Sequence, residues 1–332
     1  MLYPLIFQPV FKERVWGGRR LAQLYHKPLP PGVPIGESWE ISDRAGDASV
    51  IANGPLAGKD LSWLMARYSL DLLGRPSSPG ERFPLLVKIL DAQDTLSLQV
   101  HPPAAKAAEL GGQPKTEMWY IADAAPGAAL YAGLKRGVTR ADFERNLQAG
   151  AVAKCFHRLE VHVGDAMFLP SGRVHALGGG LVVFEIQQNS DTTYRVFDWN
   201  RLGLDGKPRQ LHVPQSLASI DFNDFEPALL PGSFAPAKPA RVRLLVRDSL
   251  FAIEVWQINA GAPLRLAPGR MHILGVLGGP LSLRDGQTSL SLVPGQFCLV
   301  PASLPEVEVQ SETAASFLRA EAGIAPPQAS SA

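Results

Sequence analysis

The chain has 332 residues, enough for about two domains. Hydrophobic residues make up 46% and charged residues 19%, ample material for a buried core. Lys and Arg total 32 against 31 Asp and Glu, which excludes a nucleic-acid surface built from bulk charge but leaves room for a few cations that hold one phosphate.

The opening MLYPLIFQPVFKERVWGG has no basic leader, and Pro4, Pro9, Lys12, Glu13 and Arg14 interrupt its apolar residues, so no signal peptide is expected. No stretch reaches the roughly 18 to 20 apolar residues that span a bilayer. The two cysteines, Cys155 and Cys298, sit in apolar surroundings and read as buried free thiols. A cytoplasmic protein is expected. Residues Asp60 to Leu73 place Leu61, Leu64, Met65, Tyr68 and Leu72 at helical spacing, with Asp60 as N-cap and Gly74 and Pro76 as the stop. Further helices are expected over Pro103 to Leu110 and from Thr139 to Gly150. Elsewhere short apolar runs lie between glycines and prolines: PLLVKIL, ALYAGL, AMFLP, LVVFEIQ, RVRLLV, FAIEVWQI, FCLVP and VEVQ. Their length and flanks predict strands of a sandwich or barrel, with the helices as insertions. Four prolines between residues 226 and 240 mark a boundary, and the end of the chain, AGIAPPQASSA, reads as a disordered tail.

The stretch VGDAMFLPSGRVHALGGG carries the most information. Gly164, Pro170 and Gly172 supply turns around a short strand, and His175 starts the next one. The spacing resembles the second conserved motif of the cupin superfamily, whose histidine binds metal. That pattern usually ends in Asn four positions after the histidine, where this chain has Gly179. The turn recurs as Gly295 and Pro301 in VPGQFCLVPASLP, without a histidine. The fold class expected is mainly β: two cupin-type jelly-roll domains with a few inserted helices. Residues 1–230 form the catalytic domain, 241–320 a second, degenerate one without metal, and 321–332 the tail.

Upstream, SLQVHPP puts Gln99 and His101 on one face of a strand. In PKTEMWYI, Glu117 opens an apolar strand and Lys115 lies on its face two positions earlier. With His175 this makes an amide oxygen, two imidazoles and a carboxylate. Such a set, without thiolate, suits a borderline divalent ion with a position left for water, and zinc is the default. The remaining histidines, His26, His157, His162, His212 and His272, read as ordinary core or surface residues.

The runs FPLLVKILDAQDTLSLQVHPP, KTEMWYI, VGDAMFLPSGRVHAL and VFEIQQNSDTTYRVFDWNR, in that order, resemble type I mannose-6-phosphate isomerases, the short bacterial branch above all. The openings FQPVFKERVWGG and GESWEIS fit the same family, and the resemblance covers roughly residues 3 to 220. It implies one zinc per chain, held by His101, Glu117 and His175 with Gln99 as fourth ligand. It implies a catalytic arginine at Arg195, with Asp191 four positions before it. It also implies a pocket lysine at Lys115 and a proton-transfer carboxylate at Glu185. The activity implied is isomerisation of mannose 6-phosphate to fructose 6-phosphate through a cis-enediol, without an organic cofactor. The partner implied is a sugar phosphate, with no nucleic acid and no membrane, on a monomer or weak homodimer.

That chemistry needs a base, an electrophile and an anchor for phosphate. Glu185, Asp191, Lys115 and a metal-held water are all candidates for the base. Glu185 could instead pair with a core cation such as Lys88, and Asp191 could cap the turn in NSDTT. Trp16 and Trp39 could line the pocket or pack the core. No phosphate-binding motif is visible. An iron oxygenase on the same scaffold is disfavoured by Gln99 and Arg195, and a non-catalytic sugar-phosphate sensor by the complete ligand set.

Overall fold

A computed structural model describes residues 2–286 and 288–323. The eight apolar runs all fall on strands, as expected from their length and flanks. Asp60 caps the helix Leu61–Leu73 by accepting a hydrogen bond from the Trp63 amide, and Gly74 ends it in the left-handed conformation. Thr139 and Asp142 cap each other at the start of the helix Arg140–Gln148. The helix expected over Pro103 to Leu110 is only Ala104–Ala107, followed by turns into Gly111 at φ 70°. Helices Arg20–Tyr25 and Val213–Ser219 were not anticipated.

The chain divides into two compact units, one containing Met1–Val10, Trp39–Val87 and Pro231–Ala332, the other Phe11–Ser38 and Lys88–Leu230. One division falls between Leu230 and Pro231, and residues 1–230 are shared between the two units. Backbone hydrogen bonds explain why: Leu5 and Leu299 exchange a pair at 2.9 Å, and the amides of Ala302 and Ser303 donate to Leu72 and Asp71. These bonds tie the early segments to the late strand Phe297–Val300. The expected tail also starts too early. Glu321 and Ala322 belong to the strand Ala315–Ala322, paired with Ala252 and Phe251, and the rest of the expected tail from residue 324 lies outside the described residues.

In the unit of Lys88–Leu230, one sheet runs Val10–Gly18, Ile35–Ile41, Leu85–Ala92, Leu181–Gln188, Glu117–Ala124 and Ala166–Leu169. The other runs Tyr194–Phe197, Leu98–Val100, His175–Leu177, Ala129–Leu134 and Phe156–Glu160. Leu90, Ala92, Trp119, Ile121, Leu181 and Val183 of the first sheet pack against Leu130, Ala132 and Leu177 of the second. Residues of opposite parity on the second sheet, such as Leu98, Val100, Ala176, Tyr194 and Val196, pack with Phe143, Val152 and Ile220 on its back. A strand alternates its side chains between faces. Gln99, His175 and Arg195 are therefore turned to the interior of the sandwich, as are Lys88, Glu117 and Glu185.

The other unit repeats this strand order. Its first sheet runs Ala235–Ala237, Ala240–Arg247, Phe251–Ile258, Ala315–Ala322, His272–Gly278 and Phe297–Val300. Its second runs Leu264–Leu266, Val307–Gln310, Leu281–Arg284 and Ser289–Leu292. In both units the recurring Gly-x5-Pro turn encloses the edge strand, and Gly164 and Gly295 adopt φ 93° and 80°, which favour glycine. The core there is apolar, built from Leu264, Leu266, Leu274, Val276, Val307, Val309 and Phe317 among others.

Candidate metal centre

Three strand starts meet at one point. Gln99 pairs with His175 across neighbouring strands, and Glu117 opens the facing sheet. The ligand atoms of His101, Glu117 and His175 all lie within 4.8 Å of one another, and the three residues are at most 1% exposed. His175 Nε2 stands 3.2 Å from Glu117 Oε1, and His101 Nε2 stands 3.5 Å from Oε2. Both imidazoles are oriented from behind: His101 Nδ1 donates to the Thr192 carbonyl at 2.8 Å, and His175 Nδ1 to the Arg173 carbonyl at 2.9 Å. That fixes the tautomer which leaves each Nε2 lone pair aimed at the centre. The Gln99 amide reaches 3.2 Å from His175 Nε2; its oxygen, not its nitrogen, is the atom able to ligate a cation.

The electrostatics fit a cation. Neither oxygen of Glu117 accepts a directed hydrogen bond, although both are buried. Its nearest charge is the Lys115 ammonium at 2.6 Å, an ion pair rather than a well-aligned hydrogen bond. Burial alone would raise the Glu117 carboxyl, but Lys115 and the two imidazoles hold it well below the usual carboxylate range. Burial, with Lys115 beside it, pushes His101 down to about 3, so this imidazole stays neutral and able to ligate. A buried carboxylate facing two imidazoles whose Nδ1 atoms are already engaged is a donor set that suits zinc. At the position where the motif usually has Asn, a Cβ on Gly179 would meet the backbone of Gln93 and Asp94 at 3.0 to 3.3 Å, so the glycine admits that loop.

Beside the centre lies a cavity of about 510 Å³, within the ordinary range for small-molecule sites. Gln99 and Lys115 line it, whereas His101, Glu117 and His175 sit behind them. Trp16 and Trp119 line it too, but Trp39 does not. Glu185 is held between the Trp119 indole, which donates to Oε2 at 2.8 Å, and the Lys88 ammonium 3.3 Å from Oε1; Lys115 Nζ lies 3.9 Å from the same oxygen. The core ion pair and the pocket position anticipated as alternatives for Glu185 thus coexist. Burial would lower the Lys88 ammonium, but Glu185, Glu37, Asp191 and Glu117 raise it above its ordinary value. Asp191 is 48% exposed at the cavity, 3.8 Å from Lys88. In the same turn the Ser190 hydroxyl accepts from the Thr192 amide.

Arg195 lies on the edge strand Tyr194–Phe197, and its Nε is buried without a hydrogen-bond partner. Burial, then the nearby charge of Arg209, lowers its basicity. Arg209 also lines the cavity and is clamped by Asp198, which accepts from its Nε at 2.7 Å and its Nη2 at 2.5 Å. Three guanidiniums line this cavity; Arg14 is paired with Glu37, and Arg195 and Arg209 remain to favour an anionic ligand. The sequence reading missed Arg209 and Asp198, the Arg14–Glu37 pair at 2.9 Å, and the carbonyls of Thr192 and Arg173. Charged residues placed at inward positions of apolar strands were the available signal for Glu37; a backbone carbonyl leaves none.

The chain resembles known proteins over most of its length. A family model described as the phosphomannose isomerase type I catalytic domain matches residues 5–124. A probable mannose-6-phosphate isomerase of Bacillus subtilis is 35% identical over 313 residues, 93% of this chain and 97% of that one. A mannose-6-phosphate isomerase of Streptococcus mutans is 33% identical, over 92% of this chain and 94% of its own. The crystal structure of the mannose 6-phosphate isomerase from Bacillus subtilis superposes with a TM-score of 0.87 at 30% identity, covering 96% of this chain and 99% of that one.

Proposed function

This chain belongs to the type I phosphomannose isomerase family, and from that premise we propose how its residues divide the work. It is an aldose–ketose isomerase that interconverts mannose 6-phosphate and fructose 6-phosphate. The observation that carries the assignment of residues is the buried Glu117 carboxylate facing two imidazoles oriented by carbonyls, their ligand atoms within 4.8 Å of one another. His101, Glu117 and His175 hold one zinc ion per chain, with Gln99 Oε1 as fourth ligand. Bound there, zinc supplies Lewis-acid polarisation of the sugar oxygens.

The remaining steps belong to side chains of the cavity. Isomerisation moves a proton between C2 and C1 through a cis-enediol whose oxygens carry developing negative charge. Glu185 takes and returns that proton; Lys88 pairs with the carboxylate, and the Trp119 indole fixes its orientation. Lys115 places an ammonium between the metal ligands and Glu185, where it stabilises or protonates a sugar oxygen. Arg195 faces the cavity with unspent hydrogen-bonding capacity and stabilises the enediolate. Arg209, steadied by Asp198, offers the phosphate a preoriented fork, with Asp191 at the exposed side of the site. The jelly roll of the other unit carries no metal in this reading, its inward positions being Leu266 and Val307. No helix among the described residues is long and apolar enough to cross a membrane. Two buried free cysteines support a reducing, cytoplasmic location.

The purified protein, assayed with mannose 6-phosphate, is expected to form fructose 6-phosphate, to stop on chelation and to recover on addition of zinc. A zinc-replete sample that binds the sugar phosphate without converting it contradicts the proposal.

A further inference from the structure

The edge strand that carries Arg195 has no further strand beyond it, yet the outward backbone groups of Arg195 are not left to solvent. The His212 amide donates to the Arg195 carbonyl at 2.8 Å, and the Arg195 amide donates to His212 Nδ1 at 3.2 Å. One residue thereby imitates the next strand at one position. On the other side Arg195 is opposite Gln99. His212 is itself anchored: its carbonyl accepts from the Ser216 amide in the first turn of Val213–Ser219, and its ring lies 6.0 Å from that of Tyr194. It does not line the cavity.

We propose that His212 is a positioning residue for Arg195: its unprotonated Nδ1 holds the Arg195 backbone, and protonation of the imidazole releases it. The inference rests on the isomerase reading for its functional consequence, but the hydrogen bond can be tested apart from it. Only a neutral imidazole with the proton on Nε2 can accept at Nδ1; the imidazolium has donors on both nitrogens and faces an N–H. The groups facing His212 are the Tyr194 ring and the charge of Arg195. Burial and then Arg195 lower its pKa from 6.5, so the neutral, bonding form prevails at that pH and above and is lost only at lower pH.

The experiment compares His212→Asn, whose amide oxygen can replace Nδ1 without titrating, with His212→Ala. Amide hydrogen exchange at Arg195 is read first. Protection is expected in the wild type and the Asn variant, and exchange about tenfold faster or more in the Ala variant. Turnover is then measured on zinc-loaded samples of verified metal content. The Ala variant is expected to lose about tenfold in kcat/KM with zinc retained, and the Asn variant to stay within about threefold of wild type near pH 7.5. As pH is lowered from 7.5 to well below 6.5 the ratio of wild-type to Asn-variant activity is expected to fall, because protonation of the metal ligands is common to both and cancels. Equal exchange at Arg195 in all three proteins overturns the proposal, and so does an activity ratio that stays flat with pH. Should the Ala variant fail to fold, the Asn variant still decides through that ratio and its exchange. A wild type that never isomerises the sugar phosphate contradicts the isomerase reading instead, while the exchange result still decides the hydrogen bond.

Discussion

In one sandwich the strands Leu98–Val100, His175–Leu177 and Glu117–Ala124 turn Gln99, His175 and Glu117 inward. In the other, strands at the same places in the sheets turn Leu266, Val307 and His272 inward. The registers make the match position by position: Glu117 pairs with Leu169, just before Pro170, and His272 pairs with Val300, just before Pro301. Gln99 faces His175 as Leu266 faces Val307. The topology and the turns are shared, so the backbone alone does not make the site. Three inward positions do, together with carbonyls that orient two imidazoles. In the second sandwich the same space is filled by aliphatic side chains, and His272 turns to Glu321 at 3.3 Å and to the Ala267 carbonyl at 2.9 Å.

The comparison can be broken hardest at Glu117. Glu117→Ala is expected to lower turnover by about a thousandfold or more and to release the metal, because it removes the one anionic ligand from a buried set. Retained metal with near-normal turnover would place the site elsewhere. A change in the other sandwich at the counterpart of Gln99, Leu266→Ala, should act on stability instead. It removes a buried side chain from an apolar core and is expected to cost about 3 kcal/mol in denaturant unfolding, while kcat of the folded enzyme and its metal content stay unchanged. A smaller effect should come from Glu321. Burial works against its charge, but the close His272 imidazole and Arg319 outweigh it and hold the carboxyl down at about 2, against 4.5 for an ordinary glutamate. The stabilisation this gives is fully present above pH 4.5 and is lost as pH falls toward 2. Glu321→Gln is therefore expected to destabilise by about 2 kcal/mol at pH 7, with a deficit that shrinks below pH 4.5 and no change in turnover per folded molecule. A deficit constant with pH would show that packing, not charge, is what Glu321 supplies.

Much of the first sandwich was legible because polar residues interrupt apolar alternation there. Gln99 and His101 sit one residue apart beside Leu98 and Val100, and Glu117 opens a strand that continues through buried Trp119 and Ile121. Such residues must find partners when buried, so their positions advertise a site. The Gly-x5-Pro turn was equally visible, and it marks equivalent edge strands in both units. What stayed hidden depends on distant chain segments. The pairing of Leu5 with Leu299, and of the Leu61–Leu73 helix with residues 302 and 303, carries no local pattern, so the discontinuous division of the chain could not be read. Arg209 sits in a polar stretch where a cation looks like surface, and its role depends on Asp198 holding it toward the cavity. His212 stands outside any motif, and its contact with the Arg195 backbone depends on how the chain returns after the strand Tyr194–Phe197.

Counting metal in the purified protein tests the central claim most directly. Elemental analysis of wild type, Glu117→Ala and Leu266→Ala after equilibration with zinc and removal of loosely held ions is expected to give one zinc per chain, none, and one. A full equivalent retained by Glu117→Ala, or two equivalents in the wild type, would contradict the assignment of a single centre to His101, Glu117 and His175.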